Sequence, residues 1–227
     1  MKPYWSNEEL GLRLFHGDCL EVFPELGEEF DLVFGDPPYG VGKADWDEEA
    51  LLQWLEVSSA YSRRFVVVTP GICNLRKLPE EFGEHEYVWE TSGWLSNNCT
   101  RGPLGFGNWI ASVAYCRKGV SPYRQAQDAK RIVIRGKMPD HPSPKPIDYM
   151  LWQTELWTDE GESIIDPFCG SGTSLVAAYR LGRKCTGVEI SEEYCEGIVA
   201  RMEEELKQKR LFAPKKEDKP TTIAMEL

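Results

Sequence analysis

Ser163-Ile-Ile-Asp-Pro-Phe-Cys-Gly-Ser-Gly-Thr173 is the stretch that decides the fold. A short apolar run ends at Asp166, turns through Gly170 and Gly172, and enters a segment, Thr173–Leu181, whose spacing predicts a helix. Such a turn lets a ligand approach the backbone, because glycine carries no Cβ, and the helix N-terminus favours an anionic group. No Gly-Lys-Ser/Thr follows, so this is not a phosphate loop, and Leu175 stands where a dinucleotide fingerprint has its third glycine. Nineteen residues beyond Gly170, Glu189 lies at the end of the next apolar run, where an acidic side chain can accept from both hydroxyls of a ribose. A ribose acceptor without a phosphate grip suits a nucleoside with a carboxylate tail, which is the shape of S-adenosylmethionine. Taken alone, the stretch fits an ordinary tight turn of an α/β sheet equally well.

Toward the N-terminus, Phe30-Asp-Leu-Val-Phe-Gly-Asp-Pro-Pro-Tyr-Gly40 repeats the pattern of an apolar strand ending at a carboxylate, Asp36. Two prolines follow, removing amide donors and stiffening the turn. The surplus is of acceptors: the Asp36 carboxylate and the carbonyls of Asp36 and Pro37. With Tyr39 beside them, these groups suit a planar substrate bearing an NH2 group, stacked on the ring and bonded through both amino protons. A rigid loop closing a strand is the plainer alternative.

Around these two stretches, β-rich runs alternate with helix-length amphipathic segments. Strands are predicted at Leu12 to His16, Phe30 to Gly35, Arg64 to Thr69, Glu86 to Glu90, Ile110 to Cys116, Ser163 to Ile165 and Lys184 to Ile190. Helices are predicted at Cys19 to Leu26, Glu48 to Arg63, Ile147 to Trp157, Thr173 to Leu181 and Ser191 to Lys209, the last with Ser191 as N-cap. Ser92 to Asn108 has the composition of a mobile loop. The expected architecture is a doubly wound, mainly parallel sheet with helices on both faces. The strands ending at Asp36 and Asp166 are its neighbours, and the site lies beyond their C-terminal ends. Residues 1–211 read as one domain with a short basic insertion at about 117–140, and 212–227 as a flexible tail.

A 41% hydrophobic fraction is enough to bury a core and excludes a mainly disordered chain. No apolar run approaches the ~20 residues of a membrane span. The acidic N-terminal residues lack the apolar core of a signal peptide. Seven cysteines without a Cys-x-x-Cys pair argue against a disulfide framework or a metal module and fit a reducing cytosol. A net charge of −11 argues against a nucleic-acid partner, yet Arg117 to Lys145 holds eight basic residues against Asp128 and Asp140. This +6 segment lies between the two strand-end carboxylates in sequence, and salt screening lets such a face act locally.

Together the two stretches resemble the amino-DNA methyltransferases, which methylate exocyclic nitrogens of adenine or cytosine. Asp166-Pro-Phe-Cys-Gly-Ser-Gly-Thr173 is similar to their cofactor loop and Asp36-Pro-Pro-Tyr39 to their catalytic tetrapeptide. His16-Gly-Asp-Cys-Leu20, His141-Pro-Ser-Pro-Lys-Pro146 and Gly187-Val-Glu-Ile190 extend the likeness over most of the chain. The catalytic motif precedes the cofactor motif, similar to the circularly permuted β-group order. The resemblance implies a Rossmann-like, S-adenosylmethionine-dependent fold. It implies catalysis by Asp36, Pro37, Pro38 and Tyr39, with the cofactor held by Asp18, Cys19, Lys145, Asp166, Phe168, Gly170, Ser171, Gly172, Thr173 and Glu189. The +6 excess, which the permuted order places between the catalytic and cofactor motifs, points to DNA phosphates as partners of Arg124, Lys130, Arg131 and Arg135. Members usually carry a sizeable target-recognition region, whereas only about Gly119 to Asp140 is available here.

The implied reaction is methylation of the N6 amine of a flipped-out adenine, since Asp at the first motif position is commoner among adenine enzymes. Cytosine-N4 methylation is the alternative. Rivals from other classes are methylation of a protein glutamine or an RNA amine, and a catalytically inactive, cofactor-binding DNA subunit. No metal and no membrane are implied, a homodimer is left open, and the setting is the cytoplasm of a prokaryotic or phage-infected cell. Of the remaining residues, Tyr149 to Trp157 reads as core, His85 as an exposed loop histidine, and Cys169 as a non-nucleophile.

Overall fold

The computed structural model describes residues 1–37, 48–96, 109–122, 127–134 and 144–207. In chain order the first elements are β1 (Trp5–Asn7), β2 (Leu12–His16), α1 (Cys19–Leu26), β3 (Phe30–Gly35), α2 (Glu48–Ala60) and β4 (Ser62–Val68). Then come β5 (Glu81–Phe82), β6 (His85–Leu95), β7 (Trp109–Arg117) and β8 (Ala129–Ile132). The chain continues through α3 (Ile147–Trp157), β9 (Ser163–Asp166), α4 (Thr173–Leu181), β10 (Lys184–Glu189) and α5 (Glu192–Lys207).

Among the described residues the strands form one mixed sheet in the order β1-β2-β10-β9-β3-β4-β7-β6-β5, with β8 beside β6. The strands β2, β10, β9, β3 and β4 run parallel. They read as nearly continuous apolar runs because both their faces are covered. Helices α3, α4 and α5 pack on one face through Tyr149, Leu175 and Ile198. Helices α1 and α2 cover the other through Phe23, Trp54 and Leu55. The sheet is therefore doubly wound. Its switch point lies between β3 and β9, since the chain leaves β3 through α2 on one face and β9 through α4 on the other.

Beyond β4 the sheet turns antiparallel. β7 pairs with β4, and β6 pairs with β7 through a register shift between Tyr87 and Trp89. That bulge breaks the period-2 alternation, and β6 runs past the predicted Glu90 because its pairing with β7 continues to Trp94 opposite Trp109. The polar β8 lies within the segment predicted as an insertion and carries no alternation to betray it. Its first three residues are exposed, and Ile132 is buried. The predicted helix to Arg63 stops at Ala60 because Phe30 N–H bonds to the Tyr61 carbonyl and β4 begins.

His85 corrects its sequence reading. It is fully buried in β6 between Ser59 of α2 and Ser62 of β4. Ser62 Oγ donates to the Phe65 carbonyl, so it accepts from His85 Nε2–H at 3.1 Å. Ser59 Oγ accepts from Glu84 N–H and donates to His85 Nδ1 at 2.8 Å. Every group in this relay is satisfied with a neutral ring. Burial, helped by Arg117, holds its pKa down at about 4.

Candidate functional site

Asp36 and Asp166 emerge side by side because β3 and β9 are paired in parallel, with Val33 opposite Ile165. Asp166 is buried, and its Oδ1 accepts from Phe168 N–H at 3.0 Å. Burial pushes its carboxyl up to about 7; the Ser174 hydroxyl and the Phe168 amide oppose the shift, while the charges of Asp36 and Glu189 add to it. Two strand-end acids, with Glu189 at the flank, leave this edge of the sheet rich in hydrogen-bond acceptors.

The turn after Asp166 is fixed from several sides. Cys169 N–H bonds to the Val188 carbonyl at 2.9 Å, and Gly172, with φ +73°, starts α4. A Cβ on Gly187 would lie 2.6 Å from Cys169 Sγ, so glycine is what lets β10 approach the turn. Arg201 of α5 donates to the Ser171 carbonyl at 2.7 Å and to Thr173 Oγ1 at 3.1 Å. Sequence reasoning missed Arg201, since nothing in the spacing links it to residues about thirty positions upstream.

Glu189 ends β10 and uses both carboxylate oxygens. Oε2 accepts from Gly170 N–H at 2.7 Å and Oε1 from Ser191 N–H at 2.9 Å. Each oxygen keeps one lone-pair direction for a further donor. Next to it Ile190 is 68% exposed, an apolar side chain left in water. The β2 end comes alongside: Gly17 N–H bonds to the Glu189 carbonyl, and His16 Nε2–H donates to the Ile190 carbonyl at 3.1 Å. Asp18 follows as N-cap of α1, accepting from Leu20 N–H at 2.8 Å. Cys19 is buried, and burial with the neighbouring Asp18 charge pushes its thiol up to about 12. Cys169 is equally buried, with burial raising its pKa.

Lys145 forms an ion pair with Asp36, and both are largely shielded. Asp36, Lys145, Asp166, Phe168, Gly170, Ser171 and Thr173 line one cleft with about 310 Å³ of empty space opening to solvent. Behind Asp36, Thr69 N–H bonds to the Gly35 carbonyl. A buried chain continues from Thr69 Oγ1 to Ser112 Oγ at 2.7 Å and on to Tyr149 Oη at 2.5 Å. Tyr149 belongs to the core, as read from sequence, and through Ser112 and Thr69 it ties α3 to the carboxyl end of β3.

Of the residues named from sequence, the structure brings Asp36, Pro37, Lys145 and the Asp166 turn to one strand edge, with Asp18, Cys19 and Glu189 at its flank. Pro38 and Tyr39 lie outside the described residues, as do Arg124, Arg135, residues 97–108 of the predicted loop and the 212–227 tail. Lys130 and Arg131 are exposed on β8. Elsewhere in the basic segment, Arg117 pairs with Glu29 and Lys118 with Glu81. No helix among the described residues is long and apolar enough to cross a membrane.

A family model described as DNA methylase, of the N6/N4 type, matches residues 73–201. That span holds the Asp166 turn, Lys145 and Glu189 but not Asp36. The type II methyltransferase M.BamHI of Bacillus amyloliquefaciens is 27% identical over 96% of this chain, which spans only 63% of that relative. The type II methyltransferase M2.DpnII of Streptococcus pneumoniae is 25% identical, over 90% of this chain and 93% of its own. The crystal structure of the M1.HpyAVI–SAM complex superposes with a TM-score of 0.70 at 19% identity, covering 84% of this chain and 99% of that one. The cytosine-N4-specific PvuII DNA methyltransferase gives 0.67 at 16% identity, covering 84% and 86%. At such identities the likeness to solved structures is one of fold.

Proposed function

This chain belongs to the N6/N4 DNA methylase family, and we propose that it methylates the exocyclic N6 amine of a flipped-out adenine in DNA. The observation that carries the reading is the pairing of β3 with β9, which sets an acceptor-rich strand end beside a glycine turn in one acidic cleft.

The residues present fit S-adenosylmethionine. Glu189 keeps acceptor directions for the ribose hydroxyls, Asp18 and the exposed Ile190 flank an adenine position, and the glycine turn admits the chain of the molecule. When bound, this cofactor supplies a methyl group activated on a positively charged sulfur. The ammonium of Lys145 has three donors, so it can serve Asp36 and a carboxylate tail together. Phe168, Ser171 and Thr173 line the same cleft, with Gly172 shaping the turn and Cys19 next to Asp18 at the flank.

On the substrate side, Asp36 and the Pro37 carbonyl accept the two amine protons. The adenine amine is a poor nucleophile because its lone pair is delocalised into the ring; two hydrogen bonds localise it and aim it. The gain is positioning and electrostatics. The bound cofactor would supply its methyl group directly to the amine; Asp36 holds the proton that the amine then sheds before it passes to water, and no bond to the enzyme forms. N6 is unreachable inside a duplex, so the base leaves the stack, with Tyr39 as its stacking partner. Lys130 and Arg131, with Arg124 and Arg135, hold phosphates. Residues 1–211 act as one methyltransferase unit, in a prokaryotic or phage-infected cell.

Cytosine N4 presents the same NH2 geometry to the same acceptors and is the second reading; the fold likeness to the cytosine-N4-specific PvuII enzyme keeps it in view. Modified-base sequencing of DNA from cells expressing the protein tests the proposal. N6-methyladenine at a recurring motif is the expected result. N4-methylcytosine would transfer the activity to the other base, and unmodified DNA would leave a non-catalytic subunit.

A further inference from the structure

Trp94 on β6 stands opposite Trp109 on β7 and, on its other side, opposite Arg131 on β8. Paired residues share a face, so the three form one row across three strands. Trp94 is 41% exposed and Trp109 51%, and Arg131 is exposed as well. Two large ring systems therefore stand in water side by side; Tyr87 and Trp89, also exposed on β6, lie five or more residues earlier along that strand.

The row lies on the catalytic edge of the sheet. Gly35 is opposite Val68 and Val68 opposite Val113, so Trp109 runs four residues beyond the level of Gly35, about 13 Å. Trp109 lies two strand spacings from β3 and Arg131 four, which is about 10 to 20 Å sideways. A DNA major groove is about 12 Å wide, so a duplex whose target base reached Asp36 would cover this distance. The row is also rigid. Ser92 N–H bonds to the Asp128 carbonyl, Ser96 N–H to the Ile132 carbonyl, Trp89 Nε1–H reaches Asp128, and Ile132 is fully buried beneath β8.

We propose that Trp109, Trp94 and Arg131 grip DNA beside the flipped base, the indoles stacking on a base unstacked by flipping and Arg131 meeting the adjoining phosphate. The proposal rests on the DNA methylase reading above. Two arguments select DNA as occupant. The row itself ends in an exposed cation, Arg131, with Lys130 next to it on the same short strand, in a chain of net charge −11. Stacking on aromatic rings is also tolerant of sequence, which suits a chain with little length for base readout.

The test is DNA affinity over a series of salt concentrations, with a duplex carrying the motif found by modified-base sequencing. For the Trp94→Ala/Trp109→Ala protein, affinity should fall at least tenfold with an unchanged salt slope, while cofactor binding by calorimetry stays at the wild-type value. Trp94→Tyr/Trp109→Tyr, which keeps ring faces, should recover most of the loss and guards against a folding defect in the alanine pair. Arg131→Ala should lower the slope of log affinity against log salt by about 0.9. Wild-type DNA affinity in a folded alanine variant overturns the proposal alone. So does a change from dimer to monomer in sedimentation with DNA affinity retained, which would make the row a self-interface. Failure of the wild-type protein to bind any duplex overturns the methylase reading and the proposal with it.

Discussion

The parallel strands β2, β10, β9, β3 and β4 and the antiparallel wing β7, β6 and β8 belong to one sheet and solve opposite electrostatic problems. At the parallel strand ends, Asp36, Asp166 and Glu189 converge, each held by an ammonium or by backbone amides. In the wing, aromatic rings and the cations Lys130 and Arg131 face water, over a buried layer of Thr91, Ser112, Tyr149 and Gln153. A cationic small molecule suits the first and a polyanion the second. The net charge of −11 averages over both and describes neither. If the division holds, changes at the strand ends alter the reaction or the cofactor, and changes in the wing alter DNA affinity.

The sharpest way to break the comparison is Asp36→Ala. Methyl transfer should fall by a thousandfold or more, about 4 kcal/mol of barrier, with DNA and cofactor affinities near wild type. Tritiated-methyl incorporation measures the first and calorimetry the second; a variant still labelling DNA at a substantial fraction of the normal rate would remove Asp36 from the mechanism. A smaller effect tests how the wing is fastened to the parallel strands, since His85 in β6 bonds to Ser59 of α2 and Ser62 of β4. Its pKa is about 4 in the fold against an ordinary 6.5. The neutral ring therefore contributes stability that is fully present above pH 6.5 and lost as pH falls toward 4, on the order of 2–3 kcal/mol. Urea unfolding across that window should show the loss in the wild-type protein and a flatter profile in His85→Gln. Equal profiles would mean that the relay carries no pH dependence.

Glu189→Ala should weaken cofactor affinity about ten- to thirtyfold in calorimetry and lower the melting temperature, because two amide partners lose a charged acceptor. A lower melting temperature with unchanged affinity would make Glu189 a turn-fixing residue only. The smallest change is Lys130→Ala, which should weaken DNA binding a few-fold on every sequence and reduce the salt slope by about 0.9. A loss confined to one base position would turn Lys130 into a reader of sequence instead.

Legibility in the sequence follows the same division. Helices α1, α3 and α4 end where the sequence predicts, because Asp18 and Gly27 bracket the first, Pro146 starts the second, and Gly172 and Gly182 bracket the third. The parallel strands announce themselves as apolar runs ending in acids. The wing does not: a bulge at Tyr87 and Trp89 scrambles alternation in β6, and Ala-Lys-Arg-Ile in β8 has no strand signal. The partners of His85 lie 26 and 23 residues away, and the Asp36–Lys145 pair spans 109. Local pattern fixes elements and strand-end chemistry; which side chain meets which depends on crossovers that no short window contains.

Trp54 is wholly buried in α2, and a Cβ on Gly35 would come within 2.3 Å of its ring. The same ring packs against Phe168 of the glycine turn, with centroids 5.3 Å apart. One side chain therefore sets the seating of both the strand that ends in Asp36 and the turn that follows Asp166. Positions 35 and 54 should vary only as a pair across relatives, a bulkier residue at one demanding a smaller at the other. For anyone wishing to retune the separation of amine and methyl donor, the adjustable part is a helix residue that neither of them touches.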